Sequence, residues 1–342
     1  MESTVAPVIT IGITAYERPT SLRRAVESVL EQPGIIRGEA EVVIVDDASQ
    51  SNSFQQYWNE LERSVSASPM PLTLFRHEEG SGGASAGRND IIAAASGKYV
   101  LFLDDDNLLA PGALAELVDY LRCSEMEWVS VRRSRGGRSF MRTPATRHEG
   151  ISRQLALWTF LVCGAFEADM LRRNRILFDA EVHLGEDAEF ILQVVTTGER
   201  FAALSDRDYF IEADPQPDEA PHISQSTRGD TFASILVDHY ARMSQIICRS
   251  ALSIEESREL QEVVLGRTLG PYRLAARLAD SHDESFAEDA LAAWSEHVRR
   301  AICDADARRW AERTGRKAVV DAVLRADLGS LRSAVAIDEL VQ

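Results

Sequence analysis

Three short apolar runs mark the first part of the chain: Val8–Thr14, Glu41–Val45 and Tyr99–Leu103. Each is continuous and rich in β-branched or aromatic residues, the pattern of a strand covered on both faces. Each stops abruptly in polar residues: Ala15-Tyr16-Glu17-Arg18-Pro19, Asp46-Asp47-Ala48-Ser49 and Asp104-Asp105-Asp106-Asn107. Between them the period changes. Leu22, Ala25, Val26, Val29 and Leu30 repeat at helical spacing after Thr20 or Ser21 as the cap. A second helix is predicted over Pro111–Arg122. The glycine-rich stretch Gly80–Asn89 reads as a loop leading into a helix from Asp90 to Ala95. Strands alternating with helices predict an α/β sheet, whose ligands lie outside the carboxyl ends of its strands. Three strand ends and one glycine-rich loop therefore converge on one edge, as in a nucleotide site.

The pattern changes near Thr231. Pro and Gly become rare, and Ile235, Leu236, His239, Tyr240, Met243, Ile246 and Ile247 recur at helical spacing. Further helices are predicted over 254–265, 271–279, 285–303 and 317–324. No heptad pattern persists and no internal repeat is visible. The expected organisation is an α/β domain over 1–228 and an α-helical region over 229–342. The helical region would shape an acceptor cleft or join subunits as a homo-oligomer.

The acids after Leu103 are the first candidate chemistry. Mg²⁺ and Mn²⁺ prefer oxygen ligands and share one or two protein carboxylates with substrate phosphates. The plainer reading is an acidic turn ahead of the next helix. The glycine loop fits neither a P-loop nor a dinucleotide fingerprint: Arg88-Asn89 stands where Lys-Ser/Thr is required, and position 85 is Ser. Arg88 suits bidentate phosphate recognition.

Taken in order, Tyr16 after the first strand, Val45-Asp46-Asp47-Ala48-Ser49, Ala86-Gly87-Arg88-Asn89, Gly97-Lys98-Tyr99 and Asp104-Asp105-Asp106 resemble the family 2 glycosyltransferases. Phe178-Asp179 followed by Leu184-Gly185-Glu186-Asp187-Ala188-Glu189-Phe190 resembles that family's acceptor-side segment. The resemblance covers roughly residues 7–225. It implies a GT-A (Rossmann-like) mixed sheet flanked by helices, and inverting transfer of a sugar from a nucleotide-sugar, here a UDP-sugar. Carried over by position, it places Ala15, Tyr16, Arg18, Asp47, Gly83, Arg88, Asp104 and Asp105 against the nucleotide-sugar. Asp47 would read the uracil edge and Asp104 the ribose. Asp106 would hold Mn²⁺ or Mg²⁺. Asp187 would be the catalytic base, with Glu186 at the acceptor. Glu17 departs from the family's usual Asn after Tyr16.

That chemistry needs a cation to neutralise the leaving diphosphate and a carboxylate to take the acceptor's proton. Glu186-Asp187 also fits a helix start that places acids against the macrodipole. His222, after a Pro- and Asp-rich loop, reads either as a surface histidine or as a further metal ligand. The basic run Arg132-Arg133-Ser134-Arg135-Gly136-Gly137-Arg138, continued by Arg142 and Arg147, reads as a solvated loop or as a patch for an anionic acceptor.

Composition narrows the setting. A net charge of −17 argues against nucleic acid and against docking on anionic lipid. No 18-residue apolar run predicts a transmembrane span, and Met1–Thr4 lacks the features of a signal peptide. Cys123, Cys163, Cys248 and Cys303 form no C-x-x-C pair, as expected of reduced thiols in a cytoplasmic protein. The acceptor would be a glycan, a polyol-phosphate polymer or a secondary metabolite. The alternatives are a GT-A-like module that binds nucleotide or glycan without turnover, and a nucleotidyltransferase. The latter would want a basic amino-terminal glycine loop that residues 12–20 lack.

Overall fold

A computed structural model describes residues 6–136, 138–139, 146–157, 160–214, 216, 219, 229–268 and 274–341. The chain forms two compact units that divide between Pro221 and His222.

In chain order the amino-terminal unit contains β1 (Ile9–Ala15), α1 (Pro19–Leu30), β2 (Ala40–Asp46), α2 (Asn52–Ser64), β3 (Leu72–Arg76), α3 (Ala84–Ala94) and β4 (Tyr99–Asp104). Then come β5 (Asn107–Leu109), α4 (Ala113–Arg122), β6 (Trp128–Val131), β7 (Arg133–Arg135), β8 (Arg138–Ser139) and β9 (Arg147–Glu149). The unit continues with α5 (Arg153–Leu157), β10 (Gly164–Glu167), α6 (Ala168–Arg173), α7 (Glu186–Thr197), β11 (Phe201–Leu204) and β12 (Phe210–Glu212). The main sheet runs β3-β2-β1-β4-β10-β6-β11-β9, and a smaller sheet runs β5-β12-β7-β8. The first four strands are parallel, while β10 lies antiparallel between β4 and β6. Register aligns Ala15 with Asp46 and Thr14 with Asp104, so the polar ends of the three predicted strands share one edge.

Both faces of the main sheet are covered, which is why its strands read as continuous apolar runs. Ile9, Ile11, Ile13, Val42, Ile44, Leu101 and Leu103 pack with Leu22, Val26, Leu114 and Leu117 of the helices. Elsewhere the core is aromatic: Phe102 meets Phe178 edge-on at 5.3 Å, and Phe178 stacks on Phe190 at 3.9 Å. Gly164 has φ +141°, and a Cβ there would stand 2.2 Å from the Val129 carbonyl oxygen. Close approach of β10 to β6 therefore requires glycine. Gly164→Ala should cost about 1–3 kcal/mol, read as a lower denaturation midpoint; an unchanged midpoint would show that the strands can part freely.

Three local expectations are corrected. Helix α3 begins at Ala84, not Asp90, so Arg88 and Asn89 stand on a helix. Helix α1 starts at Pro19, whose missing N–H costs nothing there. The Glu219 carboxylate accepts from the Thr20 and Ser21 backbone N–H groups at 2.7 and 2.9 Å and so serves as the remote cap. The described part of the basic run is largely strand rather than loop, with Arg135, Arg138 and Arg147 exposed and most of its arginines paired. Arg132 pairs with Asp208 at 2.7 Å, Arg133 and Arg135 with Glu212 at 2.9 and 3.0 Å, and Arg147 with Asp206 and Glu116 at 2.8 and 3.0 Å. Arg142 lies outside the described residues.

The carboxy-terminal unit is helical: Gly229–Arg249, Ile254–Thr268, Leu274–Ala279, Glu284–Ala301, Asp304–Thr314, Lys317–Arg325 and Leu328–Val341. Its core includes Tyr240 and Trp294, edge to face at 6.4 Å, with Leu260, Val264, Leu291 and Val298. The helices at 304–314 and 328–341 have no counterpart in the sequence reading. The first carries few large apolar residues, and Ala307 and Ala311 form its buried face. Among the described residues no helix is long and apolar enough to cross a membrane.

Candidate active site

The strand ends build the site. Ala15 closes β1, buried, and its carbonyl accepts the Asp47 N–H at 2.9 Å. Tyr16 follows with 54% of its surface exposed, unusual for a large aromatic residue. Glu17 explains how the loop tolerates its departure from Asn. It takes φ +55°, and its carboxylate accepts the Gln50 and Ser51 N–H groups ahead of α2. Arg18 and Asp105, both predicted against the nucleotide-sugar, are bonded to each other at 2.7 Å. Burial raises the Asp105 pKa well above the usual carboxylate range, and the Arg18 charge opposes that shift. The pair fastens the Tyr16 loop to the end of β4. Asp106 accepts from the Asn107 amide at 3.0 Å, and its backbone carbonyl accepts the Ala213 N–H at 2.8 Å.

At the end of β2, Asp47 organises the glycine loop. Its carboxylate accepts the Ser81 N–H at 2.8 and 3.0 Å and the Gly82 N–H at 3.3 Å. His77 adds a contact at 2.8 Å and reaches Asp90 at 2.7 Å through its other ring nitrogen. Gly83 precedes α3 against His183: a Cβ there would meet His183 Nδ1 at 3.4 Å. One turn further along α3 stands Arg88, 4% exposed. Its Nη2 donates to Asp104 at 2.6 Å, while Nη1 donates to Asp187 at 2.6 Å and Glu186 at 3.2 Å. The Phe178 ring lies 5.0 Å from the guanidinium carbon. Asn89 secures that ring's backbone, donating to the Phe178 carbonyl at 2.8 Å and accepting its N–H at 2.9 Å. Arg88 is expected from the sequence to meet the nucleotide; here its Nη groups bond to carboxylates.

Glu186 and Asp187 open α7 behind Gly185, whose φ of +91° turns the chain into the helix. Burial pushes the Asp187 pKa up to about 6, against the lowering charge of Arg88 and with the repulsion of Glu186 and Asp104. A carboxylate with that value is ionised at neutral pH yet basic enough to accept a proton. The strand-end acids and the acceptor-side acids, predicted from separate segments, are thus brought together.

Sequence reasoning missed Arg133. It was read within the basic loop, but its half-buried guanidinium interacts with Cys163, Asp104, Glu212 and Asp106. Burial pushes the Cys163 thiol up to about 12, so it is no nucleophile. Nothing in the local pattern separates Arg133 from Arg132 or Arg135; the strand pairing of β7 with β12 does. His222, the other predicted metal ligand, lies outside the described residues. Among the described residues no group of three or more His, Cys, Asp or Glu side chains could hold a metal. A cation shared with a diphosphate needs only one or two protein carboxylates, and the oxygen donors of the Asp106 carboxylate fit that smaller requirement.

Residues 10–176 match the family model described as glycosyl transferase family 2. The amino-terminal unit belongs to glycosyl transferase family 2. Poly(ribitol-phosphate) beta-glucosyltransferase of Bacillus spizizenii is 23% identical to the chain over 209 residues, 59% of this chain and 32% of that protein. The putative colanic acid biosynthesis glycosyl transferase WcaA of Escherichia coli is 34% identical over 109 residues, 32% of this chain and 36% of that protein. The chain spans about a third of the length of these relatives. Among solved structures, S. aureus TarS 1-349 in complex with UDP-GlcNAc superposes with a TM-score of 0.80 at 16% identity. That match covers 98% of this chain and 92% of the other. The fold of the family 2 unit is GT-A, a mixed sheet flanked by helices, and a helical region follows it.

Proposed function

We propose that this chain is an inverting, metal-dependent glycosyltransferase that moves a sugar from a UDP-sugar to a hydroxyl of a glycan, a polyol-phosphate polymer or a secondary metabolite. The observation that carries the reading is the part-buried Asp187 carboxylate, 22% exposed at the start of α7 and joined through Arg88 to the acid that ends β4. Asp187 takes the proton of the acceptor hydroxyl. The hydroxyl oxygen bonds to the anomeric carbon as the bond to the diphosphate oxygen breaks, so configuration inverts. Glu186 orients the acceptor. The exposed Tyr16 ring covers the nucleotide base, and Ala15, Gly83 and the Arg18–Asp105 pair shape the pocket around it. Asp104 contacts the ribose. Asp106 would hold Mn²⁺ or Mg²⁺; the cation would supply positive charge for the departing diphosphate.

The test is release of UDP from UDP-GlcNAc and other UDP-sugars, with and without acceptors. A binding module would bind them without releasing UDP. Binding of the free nucleoside diphosphates checks the base specificity. Asp47 accepts the uracil imide proton in place of one of its present donors. A hydrogen bond to a charged acceptor contributes about 1.5–3 kcal/mol, so ADP, whose base has no imide N–H, should bind about 10- to 100-fold more weakly than UDP. Equal affinities by calorimetry would take that role from Asp47.

A further inference from the structure

One guanidinium touches carboxylates assigned to opposite sides of the reaction. We propose that Arg88 is a positioning residue for the catalytic base: its fork holds Asp187 against Asp104 and supplies the counter-charge, rather than gripping the donor diphosphate. The inference rests on the assignment of Asp187 as base. An arginine that binds a diphosphate presents its N–H groups to the cleft. Here Nη1 is directed at Asp187 and Glu186, Nη2 at Asp104, and the side chain is 5% exposed. Phe178 backs the guanidinium, and α3 carries it on rigid backbone, so the fork has little freedom to turn toward a ligand.

The surrounding charges explain why the site needs this residue. Asp187 faces Arg88 from α3, Asp104 from β4 and Glu186 on its own helix, and it interacts electrostatically with the buried Cys163 thiol ahead of β10. Arg133 of β7 acts on Asp104 and Cys163. Three part-buried acids oppose one another's ionisation, and desolvation opposes it further. Arg88 is the cation bonded to all three. Without it, Asp187 would hold a proton at the pH where a base must accept one.

The experiment needs neither donor nor acceptor. Carboxyl ¹³C NMR of aspartate-labelled protein, with Asp187→Asn to assign the signal, follows the Asp187 titration directly. An opposite charge at this range lowers a carboxyl pKa by about 1–3 units, so Arg88→Gln should raise the midpoint by about that much. Arg88→Lys, which keeps the charge but loses the fork, should raise it less and guards against a fold failure in the glutamine variant. UDP affinity by calorimetry should change less than about threefold in either variant. An unmoved midpoint in a folded variant would overturn the proposal. So would a loss of UDP affinity of about tenfold or more, which marks a diphosphate grip. Activity of Asp187→Asn tests the base assignment separately, so the two failures are distinguishable.

Discussion

Asp187→Asn should lower sugar transfer by about 10²–10⁴-fold, the usual range for loss of a general base. Asparagine keeps the shape, and its carbonyl oxygen can still accept from Arg88, so α7 and the pocket should stay intact. What disappears is the basic oxygen. Affinity for UDP should hardly move, because the nucleotide contacts lie on other segments. Glu186→Gln should be milder, since Glu186 is the more distant partner of Arg88, at 3.2 Å against 2.6 Å. The pH dependence follows with a definite sign. The Asp187 pKa is raised to about 6, and only the deprotonated form takes a proton. Rate should therefore be lost as pH falls through about 6 and be level above it on this limb. Rates across pH, UDP titrations and the anomeric configuration of the product by NMR check the set. Near-wild-type transfer by Asp187→Asn would remove the base, and a product of retained configuration would remove single displacement.

Asp106→Ala, and chelator added to the wild-type protein, should both abolish turnover. Charge neutralisation of a leaving diphosphate is worth several kcal/mol, and each ~1.4 kcal/mol is about tenfold in rate. A loss of roughly 10²–10³-fold or more follows. The fold should survive, because Asp106 lies in the turn between β4 and β5 and the backbone there is held by its carbonyl bond to Ala213. Thermal melting of the variant tests survival, and Mn²⁺ added back to chelated wild type should restore UDP release. Undiminished turnover in excess chelator would end the metal assignment.

Much of the scaffold is legible in the residues alone. β1, β2 and β4 are continuous apolar runs because a sheet covered on both faces excludes polar side chains along the whole strand. Their ends are equally visible, since the acids and small polar residues begin where the strands leave the core. The amphipathic helices α1 and α4, the start of α7 and most of the carboxy-terminal helices follow from the 3.6 period. Helix α3 was misplaced because Gly83 caps it without a side-chain signal and Ala84-Ser85-Ala86 looks like more glycine-rich loop. That shift matters: on a helix, Arg88 is held against the acids that end β4 and open α7.

Sequence by itself therefore determined which residue types stand at the sheet's carboxyl edge, because hydrophobic burial and helix periodicity are local and repeat along the chain. It could not determine which charges neutralise which. Arg88 of α3 meets Asp104 of β4 and Glu186 and Asp187 of α7, Arg18 meets Asp105, and Arg133 meets Glu212 across the smaller sheet. Pairing of buried charges depends on distances of a few ångströms between segments far apart in the chain. Only the tertiary structure sets those distances, and with them whether an arginine binds a ligand or holds a catalytic acid.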